Sequence, residues 1–221
     1  MYRPVPPLDY FRMLVDDPAS IPLLEAAASL GLDAYPSLDL QSSLAEVDRM
    51  ARRLADACRH ASTETERLQR ALRFFYATQR FAGNAHAYYD PDNSYLHRVV
   101  ETRRGIPITL AVLFAELAGH VGLDVDGVAF PGHFLLRVNL HAGTVVVDPF
   151  SGRSLDREEL ARRAAPHGIA ADLLLRPASA RQILIRMLNN LRAIHASQGR
   201  EDLLEKVLAR LRILGGEAAA G

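Results

Sequence analysis

A chain of 221 residues, 49% hydrophobic and 24% charged, is long enough to bury one ordinary core and too apolar to be disordered or fibrous. Its 26 basic and 26 acidic side chains cancel, which removes any global field favouring nucleic acid or an anionic membrane. No apolar run reaches the ~18 residues that cross a bilayer, and MYRPVPPLDYF lacks the grading of a secretory signal, so a cytosolic protein is expected.

Three prolines in residues 1–7 predict an extended arm, and helical patterning follows from Leu8. A second helix starts after Pro22 and ends near Gly31. Ser42 or Ser43 caps a third, in which Leu44, Val47, Met50, Leu54 and Cys58 keep helical spacing. Cys58 is the single cysteine, so no internal disulfide forms, and its arginine-rich helical setting reads as that of a structural thiol. Thr63 and Glu66 have capping-box spacing before a helix with Leu68, Leu72, Phe75 and Gln79 on one face.

A polar, aromatic loop, GNAHAYYDPDNSYL, leads to a short helix capped by Asp92 or Asn93 and closed at Gly105. The next helix runs from Ile106 or Pro107 to about His120. It is apolar nearly all round and therefore buried. Val125–Phe130, His133–Leu140 and Thr144–Phe150 carry the β-branched enrichment of strands. If the last two form a hairpin with Asn139 facing Thr144, His133 faces Phe150 and Asp148 is its diagonal neighbour, with Cβ atoms roughly 7–8 Å apart. A one-residue register change would separate them. A short helix DREELARRAA follows, and residues 179–214 form a helical hairpin turned at Gly199, of about the size of one tetratricopeptide-type unit. A lone hairpin of this kind must bury its apolar face on the core or on a partner.

A helix followed by His and then Asp on successive strands is the order of a cysteine acyl-transfer triad. The segments DPDNSYLHRVVETRRGIPITLAVLFAELA, GVAFPGHFLLRV, VVDPFSGRSL and RQILIRMLNNLRAIH resemble the SirB-type branch of the transglutaminase-like superfamily. The resemblance implies an α+β fold with a papain-like core, a central helix on a small antiparallel sheet. Residues 1–89 would form an all-helical region, 90–178 the core and 179–221 the C-terminal hairpin. It also implies His133 and Asp148 as the catalytic pair, with Pro107 at the position of the family's cysteine. A proline supplies neither a thiol nor a backbone N–H for an oxyanion hole.

Two functions follow as expectations. One is a binding or regulatory module without a nucleophile, engaging a protein or peptide partner. The other is an enzyme in which His133 and Asp148 act as general base on an amide, ester or glycosyl bond of a small-molecule substrate, with Asn93, Tyr95 and Arg104 as recognition neighbours. Thr109 offers a hydroxyl and is a further candidate for substrate contact, although it stands about 200° around the helix from position 107, where its structural reading is a first-turn polar residue that satisfies a free backbone group. No cofactor is implied, and no metal: His86, His97 and His141 lack ligand spacing with His133 and Asp148. Arg49, Arg52, Arg53, Arg59, Arg67, Arg70 and Arg73 are interspersed with acids and read as a solvated face rather than a phosphate track, so no nucleic-acid partner is expected. Oligomeric state is not legible.

Overall fold

The computed structural model describes residues 5–168 and 171–215, without the side chains of residues 171 and 172. The arm expected over residues 1–7 falls mainly on residues 1–4, outside the described residues, and Pro7 already opens a helix. Helices α1 (Pro7–Leu14), α2 (Leu23–Ser29), α3 (Leu40–Cys58) and α4 (Glu64–Leu72) come first, and a short strand follows within the residues 1–89 that were expected to be all helical. The cap of α3 is Asp39, whose carboxylate accepts the Ser42 N–H at 3.1 Å, not one of the serines. A carboxylate suits the positive end of the helix dipole better than a hydroxyl does. Thr63 caps α4 through the Glu66 N–H at 3.1 Å, while Glu66 reaches past it to the N–H of Ser62 at 2.7 Å.

The expected face is kept, with Leu68, Phe75 and Gln79 buried and Leu72 partly so, although the chain widens into a π-helical segment, Arg73–Thr78. Leu72 is left partly exposed, Phe74 and Phe75 are both buried, and the Tyr76 hydroxyl reaches the Pro149 carbonyl at 2.9 Å. A π-bulge is a common way to re-aim side chains near a site. Strand β1 (Ala82–Gly83) then pairs in parallel with β2 (Arg104–Gly105). Between them Asp90, rather than Asp92 or Asn93, caps the 3₁₀ turn Pro91–Ser94, and α5 (Leu96–Thr102) ends on Arg103 in the left-handed region at φ 60°, two residues before the glycine expected to stop it.

Helix α6 (Pro107–Gly119) is the centre of the molecule: Pro107 to Phe114 are buried without a break, and so are Leu117 and Ala118. Each large apolar side chain so buried contributes about 1.5–3 kcal/mol. One side of α6 meets the sheet and the other meets α3, α5 and α2. The sheet has order β3 (Asp124–Val128), β4 (Leu135–Leu140), β5 (Gly143–Asp148), β6 (Arg153–Leu155), all antiparallel. The fourth strand was not expected, being too short to show alternation in sequence. Asn139 pairs with Thr144, the register on which the His–Asp geometry depends. Alternation along β4 and β5 puts Leu136, Val138 and Val147 on the α6 side. Leu135 and Val146 face a second cluster with Leu160 and Ala164 of α7 (Arg157–Ala164).

After α8 (Ala171–Leu174), α9 (Ala180–Ser197) opens with a complete capping box of Ser179 and Gln182, and Gly199 at φ 64° turns it into α10 (Glu201–Ile213). The hairpin packs on the core: one apolar cluster runs from Phe11 through Leu113 to Leu214. Two polar ties reinforce it. The Tyr95 hydroxyl lies 3.0 Å from His195 Nε2, and buried Arg210 is paired with Asp33. The whole is an α+β fold with a central helix on a small antiparallel sheet.

Candidate functional site

His133 stands not in β4 itself but in the turn before it. That turn is closed by the His133 N–H donating to the Phe130 carbonyl at 3.1 Å and made possible by Gly132 at φ 67°. Asp148 is the last residue of β5. Nε2 of His133 donates to Asp148 Oδ1 at 2.9 Å, and the same oxygen accepts the Phe150 N–H at 2.9 Å. Burial pushes the Asp148 carboxyl up. The hydrogen bonds from His133 and the Phe150 amide, with the charges of His133 and Arg163, outweigh it and hold the group below the ordinary carboxylate range. An ionised carboxylate only accepts, so the proton of this bond is on Nε2, and Nδ1 is the ring nitrogen that Asp148 does not engage.

A cleft of about 130 Å³ adjoins this pair, lined among others by Tyr88, Pro107, His133, Arg186 and Asn190. A larger cavity of about 440 Å³ lies between α2 and α6, and neither His133 nor Asp148 lines it. Pro107 is the first residue of α6. The helix start thus faces the imidazole across the cleft without a thiol or an N–H at that residue.

The structure brings His133 and Asp148 together and takes the other candidates elsewhere. Asn93 is buried and fixes the preceding loop, donating to the carbonyls of Ala87 at 2.6 Å and Tyr88 at 3.2 Å and accepting from Asn84 at 2.9 Å. Tyr95 is 3% exposed, with its hydroxyl committed to His195. Arg104 donates to the carbonyls of Arg80 and Arg103, bracing the two left-handed turns at those residues. Thr109 is fully buried with no hydrogen-bond partner for its hydroxyl among the described residues. None of the four lines the His133 cleft. Cys58 is buried in α3, and burial raises its thiol pKa despite the nearby charges of Arg70 and Arg67.

Arg186 and Asn190 were missed. Both lie on α9, one turn apart, within the segment RQILIRMLNNLRAIH, and the available signal was an Arg and an Asn four residues apart beside an apolar helix face. Arg186 holds the His133 turn directly, donating to the His133 carbonyl at 2.8 Å and to the Phe130 carbonyl at 3.3 Å. Among the described residues no group of three or more His, Cys, Asp or Glu is placed to hold a metal ion, and no helix is long and apolar enough to cross a membrane. His141 instead contacts Glu64 at 2.9 Å, and several of the helical arginines are engaged locally, Arg49 with Glu46 and Arg59 with Asp56.

Comparison with known proteins agrees with this layout. Residues 41–189 match the model of a family described as the transglutaminase-like superfamily. A UPF0162 protein of Xylella fastidiosa strain Temecula1 is 39% identical over 205 residues, covering 89% of this chain and 73% of that protein. A UPF0162 protein of Pseudomonas aeruginosa is 32% identical over 202 residues, 90% and 74% of the two chains. The human F-box only protein 21 is 32% identical over 133 residues, which is 56% of this chain and 21% of that protein. No solved structure matches. The chain belongs to the transglutaminase-like superfamily, with UPF0162 proteins among its homologues.

Proposed function

We propose that this is a SirB-type transglutaminase-like protein that has lost the cysteine nucleophile and serves in the cytosol as a binding or regulatory module. The observation that carries the reading is Pro107, which lines one cleft with His133 where an acyl-transfer triad needs a thiolate. The same residue lacks the N–H that would help bind an oxyanion, so nucleophile and part of its electrostatic support are missing together. On this reading residues 1–89 and 179–221 frame a core of residues 90–178, and the C-terminal hairpin is a surface for a protein or peptide partner. The purified chain is expected to show no transamidase or peptidase turnover on amide and ester substrates. Turnover abolished by a thiol alkylator would overturn the reading.

A second reading is favoured by the orientation of the imidazole. Nε2 is held by Asp148 and Nδ1 is not engaged by it, the arrangement of a general base that activates water or a substrate amine. In that case alkylator-insensitive turnover is found and His133→Ala abolishes it in a protein that remains folded. If His133→Ala leaves such turnover unchanged, the dyad is structural.

A further inference from the structure

The cleft beside His133 has an unbalanced charge that the His–Asp pair does not use. Arg186 is half-buried, and its three hydrogen bonds all end on neutral main-chain carbonyls, those of Phe130 and His133. Its guanidinium stands 5.7 Å from the centroid of the Phe134 ring. Among the described residues no Asp or Glu comes within ion-pair distance of it. Burial pulls its pKa down, as expected of a cation held away from water without a counter-charge. Asp148, the carboxylate held by His133, is committed to that ring and to the Phe150 amide, with Arg163 3.9 Å away. A guanidinium has five N–H donors, so the three carbonyl bonds leave donors over. Asn190, one turn further along α9, also lines the cleft and makes no side-chain hydrogen bond among the described residues.

We propose that this cleft receives a single carboxylate carried on a short apolar stem, with Arg186 supplying the charge and Asn190 an N–H donor. The inference rests on the reading of the cleft as a binding site and names its ligand class. Three observations select it. One guanidinium without an acid at ion-pair distance matches one negative charge, and a dianion would leave a charge unpaired. Ile106, Ile108 and Phe134 line the same space and give the stem apolar contacts. The cleft volume of about 130 Å³ is below the roughly 300 Å³ at which pockets begin to take whole drug-sized ligands, so it fits the end of a molecule. Partial removal from water raises the strength of the ion pair, and the carbonyl bonds hold the guanidinium in place before anything binds, which lowers the ordering cost.

The test is a titration of the full chain with butyrate, with butyramide and inorganic phosphate as comparisons, followed by NMR shifts of the Arg186 Nε–H and the Ile108 and Phe134 amides. Butyrate is expected to give saturable shifts with a Kd on the order of 1 mM, the scale that so small a ligand allows. Butyramide should bind about tenfold or more weaker, because it keeps the shape and loses the charge. Arg186→Gln should abolish the shifts and Arg186→Lys should weaken them. Asn190→Asp should weaken binding about tenfold by placing a like charge in the cleft. That variant leaves the ties from Arg186 to Phe130 and His133 intact, so it decides the matter even if Arg186→Gln fails to fold. Equal binding of butyrate and butyramide, tighter binding of phosphate, or no saturable shift each overturns the proposal. Amide and ester turnover measured on the same samples separates the two readings: carboxylate binding together with turnover sinks only the module, and the absence of both sinks only the receptor.

Discussion

Nε2 of His133 lies 2.9 Å from Oδ1 of Asp148, an oxygen that also accepts the Phe150 N–H, so one carboxylate atom ties the turn before β4 to the end of β5. Asp148→Asn is expected to cost about 1.5–3 kcal/mol at pH 7, the worth of hydrogen bonds to a charged group. The folded carboxyl titrates below its ordinary 3.8, so its contribution is present above that value and is lost as pH falls through the lower folded pKa. Urea melts of wild type and Asp148→Asn should keep a constant gap from pH 7 down to about pH 4 and begin to draw together only below 3.8. A difference that stays constant below that value too would show that the charge plays no part.

If position 107 is the site a nucleophile would occupy, Pro107→Cys places a thiol opposite His133 at the start of α6. That thiol should react with iodoacetamide about tenfold or more faster than Cys58, which is buried in α3 with a raised pKa. Adding His133→Ala should slow it. Equal rates with and without His133 would count against the triad geometry.

Gly83 sits in β1 with its N–H donating to the Phe150 carbonyl at 3.0 Å, and a Cβ there would lie 2.3 Å from the Phe150 ring. Gly83→Ala should therefore cost about 1–3 kcal/mol by overpacking, read in chemical denaturation. Gly119→Ala is the control, since its added Cβ meets nothing within 4 Å and lies in a helix. It should gain up to about 1 kcal/mol.

His97 is 4% exposed and neither ring nitrogen has a partner among the described residues; His195 is 1% exposed. Burial leads the causes that lower both pKa values from 6.5. The unfolded chain then binds protons that the folded chain resists, so stability is full above pH 6.5 and declines as pH falls below it. Thermal melts between pH 7.5 and 5 should show this decline, and His97→Phe should flatten it without loss of stability at pH 7.5. An unchanged slope in that variant would exclude His97 as a contributor.

Arg210 is 1% exposed and paired with Asp33, and its guanidinium lies 5.5 Å from the Phe11 ring centroid. Asp33→Ala strands a buried charge and should cost about 3–5 kcal/mol, whereas Asp33→Ala with Arg210→Met should recover most of the loss. Equilibrium unfolding of the single and double variants measures the coupling, and simple additivity would sink it.

Local patterning was enough for much of this molecule. The all-round apolar run of α6 dictates burial, since no face of such a helix tolerates water, and the two-residue period of β4 and β5 fixes which side chains share a face. The pairing of Asn139 with Thr144 then leaves His133 and Asp148 within reach of each other, so the dyad could be derived from the hairpin alone. Helix caps were less legible, because Asp39 and Asp90 compete with neighbouring serines, aspartate and asparagine that satisfy the same spacing rules. What surrounds the imidazole is set by long-range packing. Arg186 reaches the His133 carbonyl across 53 residues, and Tyr95 turns inward to His195 across 100, and no period or short motif encodes contacts at such separations. The helix and the hairpin follow from short-range periodicity, and the His–Asp pair follows from them once Asn139 faces Thr144. The cleft and its cation arise where α6, α9 and the turn before β4 converge, and that convergence is set by packing of the whole core.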